Sequence, residues 1–176
     1  MREDFAILAA VDAAPSHAFQ VLDHLNMLGI RATRGELHQR VDALTAAGML
    51  ETVVGSPTEQ GRRLIRLTPK GHQALAEETL ATLRREPLES PLFALAVTSA
   101  RAGNAAVFVN VLRSRITTAT RRLTAEERAL AQQGGDERFW SRAGREQRIA
   151  TLQADINWLQ SVITPEAAIP QLPQAG

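Results

Sequence analysis

Cysteine is absent from the 176 residues, which excludes disulfides, thiolate zinc sites and cysteine nucleophiles and fits a reducing interior. No apolar run approaches the ~20 residues that a membrane span requires. The opening Met1-Arg2-Glu3-Asp4 also lacks the charged-then-apolar order of a signal segment. A soluble, cytoplasmic protein with no membrane partner is expected. The four histidines, His17, His24, His38 and His72, lie apart, and no two share an H-x-x-x-H spacing. His38 with Asp42 at i, i+4 is half a site where zinc takes about three or four ligands, so no metal is expected. No G-x-S-x-G and no glycine-rich phosphate loop occurs, and Glu77-Glu78 and Glu126-Glu127 read as solvated helix faces rather than acid/base pairs. Neither catalytic residues nor a cofactor are expected, and the chain does not read as an enzyme. An excess of one charge is missing too: 20 Lys and Arg stand against 19 Asp and Glu. What the chain has is an apolar content of 44%, enough for a core.

The most informative stretch is Thr33 to Leu50, T-R-G-E-L-H-Q-R-V-D-A-L-T-A-A-G-M-L. Thr33 followed three residues later by Glu36 is a capping box, in which two side chains satisfy backbone donors at a helix start. Leu37, Val41 and Leu44 fall at i, i+4, i+7 and share one face, and Gly48 supplies a left-handed stop. The rest of the surface carries Arg34, His38, Gln39, Asp42 and Thr45. Taken alone that pattern is the common one of an amphipathic surface helix, and it is also what a helix needs to set polar side chains against base edges in a major groove. Its neighbours decide between them.

Phe5, Ile7, Leu8 and Val11 lie in a first helical run that Pro15 stops. Ser16 is the expected N-cap of a second helix carrying Phe19, Val21, Leu22 and Leu25 and closing at Leu28-Gly29. After the Thr33 helix, E-T-V-V, a turn G-S-P-T-E-Q-G and R-R-L-I-R-L read as a β-hairpin with arginines on its return strand. Thr68-Pro69 sets an N-cap and an N1 proline for a helix to about Arg85, buried through Leu75, Leu80 and Leu83. Helix, helix, helix, two-stranded wing is the winged helix-turn-helix order. Between Arg31 and Lys70, Arg31, Arg34, Arg40, Arg62, Arg63, Arg66 and Lys70 outnumber Glu36, Asp42, Glu51 and Glu59. That excess permits phosphate contact by a dimer without demanding it.

Three stretches of this half resemble the PadR family of bacterial transcriptional regulators. P-S-H-A-F-Q-V, Pro15 to Val21, is similar to that family's P-x-H-G-Y-E-I. Thr33 to Leu50 aligns without a gap to S-P-G-T-L-Y-P-x-L-x-x-L-x-x-x-G-L-I, and R-R-L-I-R-L-T-P-K-G, Arg62 to Gly71, is similar to R-R-x-Y-x-L-T-x-x-G. The chain departs from the pattern with His38 and Gln39 where the family has tyrosine and proline, with Glu36 for a threonine, and with Leu64-Ile65 for the wing tyrosine. The resemblance implies a DNA-binding regulator, a repressor, acting as a homodimer on a palindromic operator and released by a small hydrophobic or aromatic effector. Thr33, Arg34, His38, Gln39 and Arg40 are then expected at base edges or adjacent phosphates, and Arg62, Arg63, Arg66 and Lys70 along the DNA backbone or minor groove. A winged-helix module that binds another protein is the competing class, favoured by Glu36, Asp42 and the low net charge.

Glu86-Pro87-Leu88-Glu89-Ser90-Pro91 breaks the pattern, which sets expected domains of 1–86 and 87–164. The second opens with a short helix capped by Ser90-Pro91. Gly103-Asn104 then opens a long helix with Val109, Leu112, Ile116, Ala119, Leu123 and Leu130 in register, Glu126 interrupting it. Gln133-Gly134-Gly135-Asp136 turns the chain into a last helix bearing Ile149, Leu152, Ile156, Leu159 and Ile163. The fold class is therefore mostly α: a winged helix-turn-helix followed by a long antiparallel helical hairpin. Leu112 and Ile116 with the five residues of the last stripe are the expected dimerisation surface. Trp140 and Trp158, about five turns apart on one helix, are either interface packing or a flat wall for a planar effector. The tail from Pro165 to Gly176 has no periodicity and is expected to be disordered.

Overall fold

A computed structural model of the protein describes residues 2–12, 16–53, 64–100, 105–132 and 139–164. The first compact unit, Met1–Phe108, is the winged helix-turn-helix. It runs α1 (Arg2–Asp12), β1 (Ser16–His17), α2 (Ala18–Met27), α3 (Arg34–Ala46), β2 (Leu50–Val53), β3 (Leu64–Leu67), α4 (Pro69–Arg85) and α5 (Pro91–Ser99). The three antiparallel strands lie in the order β1-β3-β2. Leu50 pairs with Leu67 and Val53 with Leu64 across the wing, while Ser16 and His17 pair with Ile65 and Leu64 from the other side.

Two expectations change here. Ser16 does not cap α2: it is in the short edge strand β1, and His17 is the N-cap, its backbone N–H donating to Gln20 Oε1 at 2.8 Å. The free edge of β3 draws Ser16 away from the cap, because pairing there satisfies backbone groups that would otherwise lie bare. The seam expected between residues 86 and 87 is instead a corner within one unit. The Ser90 hydroxyl donates to the buried Glu86 carboxylate at 3.1 Å and accepts from the Leu92 N–H at 3.3 Å, and α5 packs back on α1 and α4. A helix as apolar as Pro91–Ser99 has to be covered, and Phe93, Leu95 and Ala96 are buried.

Helix α1 is the centre of this unit. Every residue from Phe5 to Val11 is buried, because α2, α4, α5 and β3 surround the helix. On α4, Leu75 and Leu83 are buried as expected, but Thr79 takes the deep position that Leu80 was assigned, its hydroxyl turned back to the Leu75 carbonyl at 2.7 Å. Buried, that hydroxyl needs a partner, and the i−4 carbonyl is the nearest one.

The second unit, Val109–Gly176, comprises α6 (Ala105–Ala131) from Val109 onward and α7 (Phe139–Ile163), an antiparallel pair. Glu126, which interrupts the apolar register of α6, joins the two helices: it accepts from Arg145 Nη1 and from Arg148 Nε, both at 3.1 Å. The hydrogen bonds from Arg148 hold its carboxyl below the usual range. Leu112, Leu123, Ile156 and Leu159 are buried within a single chain, whereas Ile116, Ile149, Leu152 and Ile163 remain half-buried. Gly103-Asn104, the turn at 133–136 and the tail from Pro165 lie outside the described residues. Among the described residues no helix is long and apolar enough to cross a membrane.

Among the described glycines Gly71 has the closest neighbour, for a Cβ added there would run into the Met49 carbonyl oxygen. Gly71→Ala should therefore cost about 3 kcal/mol through overpacking and backbone displacement. An alanine at Gly35, which meets nothing within 4 Å, should be neutral or stabilise by up to about 0.5 kcal/mol. Urea denaturation of both variants checks the pair.

Candidate nucleic-acid interface

The turn between α2 and α3 is closed by a left-handed glycine. Gly29 sits at φ 76°, its N–H donating to the Asn26 carbonyl at 3.0 Å and the Ile30 N–H to the Leu25 carbonyl at 2.9 Å. Three residues later the expected capping box is complete. The Glu36 N–H donates to Thr33 Oγ1 at 3.3 Å, and the Thr33 N–H and hydroxyl donate to Glu36 Oε2 at 2.9 and 2.7 Å. These bonds hold the Glu36 carboxyl below its ordinary range. Leu37 and Leu44 anchor the inner face, with Val41 half-buried beside them. At the far end Gly48, at φ 70°, reverses the chain, and the Met49 N–H donates to the Leu44 carbonyl at 2.9 Å.

The start of α4 then locks that end. The Thr68 hydroxyl accepts from the Gly71 N–H at 3.0 Å and donates to the Gly48 carbonyl at 2.7 Å, while the Thr68 N–H donates to the Met49 carbonyl at 3.1 Å. Lys70 Nζ donates to the Ala47 carbonyl at 2.8 Å. The carbonyls of Ala47, the α3 C-cap, and of Gly48 and Met49 just beyond it thus meet donors from the segment that follows the wing.

Against this frame the residues expected to touch DNA separate. Arg34, His38 and Gln39 are exposed on α3. Arg34, His38, Asp42 and Thr45 fall within an arc of about 80° at 100° per residue, and Gln39 lies about 60° beyond Asp42. Arg40 is on the opposite flank, where it pairs with Glu3 and with Asp4, the latter at 2.9 Å. Its hydrogen bond to Asp4 raises the guanidinium pKa further, so this cation braces α3 against α1. Arg66 Nε pairs with Glu51 Oε1 directly across the wing at 2.6 Å. Thr33 is exposed but engaged in its cap. Of the expected cations within the described residues, Arg34 alone has no partner among them. Arg62 and Arg63 lie outside the described residues.

Beside the exposed arc of α3 runs a groove of about 470 Å³. Leu22, Leu37, Val41 and Ile65 form its apolar lining, Arg34, His38 and Asp42 stand along it, and His17 and Phe19 contribute two rings. Those rings stack at a centroid distance of 5.6 Å and an interplanar angle of 11°. Residue patterns did not reveal this groove, because its walls come from three strands and two helices that meet only in the folded chain.

No protein-family model matches the chain, and no curated protein matches it. Solved structures do. A PadR-like transcription factor from Bacteroides fragilis is 21% identical over 45% of this chain and 78% of its own, with a TM-score of 0.41. Bacillus subtilis PadR in complex with operator DNA is 14% identical over 92% of this chain and 97% of its own, with a TM-score of 0.40. The same protein in complex with p-coumaric acid is 14% identical over 93% and 97%, with a TM-score of 0.39.

Among the described residues no three His, Asp or Glu side chains converge in a way that could hold a metal ion. On α7, Trp140 is 80% exposed and meets Phe139 edge-on at 5.0 Å, and Trp158 is 42% exposed. Five turns place both on one face, about 140° from the stripe of Ile149 to Ile163. The face between them carries Gly144, Gln147, Thr151 and Ala154, so the two rings are not part of that stripe.

The lowered carboxyl of Glu36 fixes a sign. A carboxylate that titrates lower in the folded chain than in the unfolded one stabilises above the unfolded value, about 4.3, and that contribution is lost as pH falls through the folded value. The stability difference between the protein and Glu36→Ala should therefore be full at neutral pH and shrink below about pH 4.3. Urea midpoints measured from pH 7 down to pH 3 check it; a difference that grew on acidification would contradict it.

Proposed function

We propose that the protein is a DNA-binding transcriptional regulator whose α3 enters the major groove. The observation that carries this reading is the exposed start of a helix capped at both ends, where Arg34, His38 and Gln39 stand clear of the core. Arg and Gln are donors suited to guanine and adenine edges. The motifs from Pro15 to Val21, Thr33 to Leu50 and Arg62 to Gly71 support the assignment. We assign phosphate contacts to Arg62 and Arg63 from their place in the wing sequence. Action as a repressor, on a palindrome, released by a small hydrophobic effector near Trp140 and Trp158, belongs to the same proposal.

A protein-binding module is the second reading, and the pairing of Arg40, Arg66 and Lys70 within the chain favours it. Salt separates the two. Neutralising phosphates makes log affinity fall by about 0.9 per decade of salt for each contact, whereas a protein interface responds weakly. Selection of bound fragments from random duplex DNA should return a palindrome. On that fragment Arg34→Ala should lower affinity and His38→Ala should relax preference at one base position by about 1–3 kcal/mol. Recovery of no enriched sequence, with a flat salt response, would favour the protein-binding reading.

We further propose a homodimer through α6 and α7. Ile149, Leu152 and Ile163 stay half-buried in one chain, and a second copy would cover them. Pairing would present two recognition helices to half-sites about 34–36 Å apart. Ile156 is only 7% exposed in a single chain, so its replacement tests folding rather than pairing. Leu152→Glu is the better probe: sedimentation equilibrium should show a folded monomer with operator binding lost.

A further inference from the structure

A glycine inside a helix weakens it, and packing among the described residues does not call for one at Gly144. It lies in the second turn of α7, and it is not one of the glycines with positive φ. A Cβ added there would meet only Arg148 Nη1 at 3.8 Å, an ordinary contact. Alanine would therefore suit the helix better.

The face that holds Gly144 supplies the reason. Trp140, Gly144, Gln147, Thr151, Ala154 and Trp158 fall within an arc of about 80° at 100° per residue, and all six are exposed or half-buried. Their order reads alike from either end: large, small, polar, polar, small, large. The centre of that symmetry is level with Ile149, which points the opposite way. We infer that two copies of the chain pair antiparallel across this face about a two-fold axis, and that this seam is a second self-association surface, separate from the stripe of Ile149 to Ile163.

A two-fold interface has to be complementary to itself. Antiparallel pairing sets Trp140 level with the partner's Trp158, Gly144 with the partner's Ala154, and Gln147 with the partner's Thr151. Helical side chains lean toward the N-terminus of their own helix, so each Trp158 leans over Gly144 of the facing copy. The missing methyl gives that indole its room. Trp140 leans the other way, toward the partner's Val162, which is also exposed in a single chain. Parallel pairing would set the Trp158 ring against Ala154 and leave the glycine unused. At the centre, Gln147 Nε2 donates to Thr151 Oγ1 at 3.1 Å and the Thr151 hydroxyl to the Gln147 carbonyl at 3.0 Å. Groups bonded within the helix cost less to cover.

Size sets what the seam does. Five turns span ~27 Å, and two facing strips ~10 Å wide bury about 550 Å², below the roughly 1,200–2,000 Å² of a stable complex. One seam alone is weak. A two-fold dimer carries the face twice, so two dimers joined at both faces gain the second contact within one assembly. The product is a tetramer with four α3 helices; the tetramer rests on the dimer proposed above, whereas the seam does not. The proposed effector near the two rings would compete with the seam.

Trp140 and Trp158 are the only tryptophans of the chain, so indole emission reports on this face alone. As concentration rises, the emission should move to the blue while sedimentation equilibrium passes from dimer to tetramer. Gly144→Leu should hold or raise the urea midpoint at low concentration, keep the dimer, and weaken the tetramer about tenfold or more. Trp140→Ala and Trp158→Ala should each weaken it too. An equimolar mixture of those two variants should associate more tightly than either alone, because each mixed seam retains one intact Trp140–Trp158 contact. A mixture weaker than either variant would overturn the antiparallel pairing. Emission independent of concentration with no species above the dimer, or a Gly144→Leu variant that assembles like the parent, would overturn the seam and leave the dimer standing. Conversion of a parental dimer to a folded monomer by Gly144→Leu would uphold the seam and overturn the dimer through Ile149 to Ile163.

Discussion

The fold is held in register at one junction, where the first turn of α4 closes on the end of α3. Thr68, Lys70 and Gly71 meet Ala47, Gly48 and Met49 through hydrogen bonds between 2.7 and 3.2 Å and one contact without room for a methyl group. The negative end of the α3 dipole thereby faces the positive end of the α4 dipole, with a lysine ammonium between them. Since the wing leaves from one side of this junction and returns to the other, its position and that of α3 are set by the same few bonds. The L-T-P-K-G segment is thus more than a helix start: threonine caps, proline presets, lysine neutralises and glycine makes space.

Electrostatics follow from that frame. Net charge near zero does not describe the surroundings of α3, where the cations of α3, β3 and α4 are divided by role. Arg40 is turned inward on Glu3 and Asp4, Arg66 is held by its cross-strand partner, and Lys70 by the end of α3. Surface pairs of this kind contribute little energy singly, about 0–1 kcal/mol, and can exchange partners when a polyanion approaches. Arg34 begins unpaired among the described residues. A phosphate or carboxylate would meet it without first breaking an existing ion pair there.

The helix starts at Thr33, Thr68 and Ser90 were legible because capping is local chemistry: hydroxyl, proline and glutamate act within about one turn. The hairpin pairing was legible for the same reason, from alternation and turn formers. What escaped was either too short or too distant in sequence. The two-residue strand at Ser16–His17 has no period to read. The partners of Arg40, Lys70 and Arg66 lie 36, 23 and 15 residues away, so all three cations looked equally available to DNA. The proline-rich segment after Arg85 reads as a linker in composition, yet apolar α5 must be covered, and its burial against α1 and α4 turned a break into a corner. The groove beside α3 has no linear signature at all.

The glycines of this unit restrict sequence in two physically different ways. Gly71 has no room for a side chain, whereas Gly29 and Gly48 have open space around them and are constrained only by a backbone turn of the opposite hand. At these two, the obstacle is chirality rather than volume, so a D-alanine would suit what an L-alanine resists and would narrow the unfolded ensemble as well. The turns before and after α3 each hold a position that an L side chain takes only with strain, and a residue of mirror-image configuration is the one that could occupy it freely.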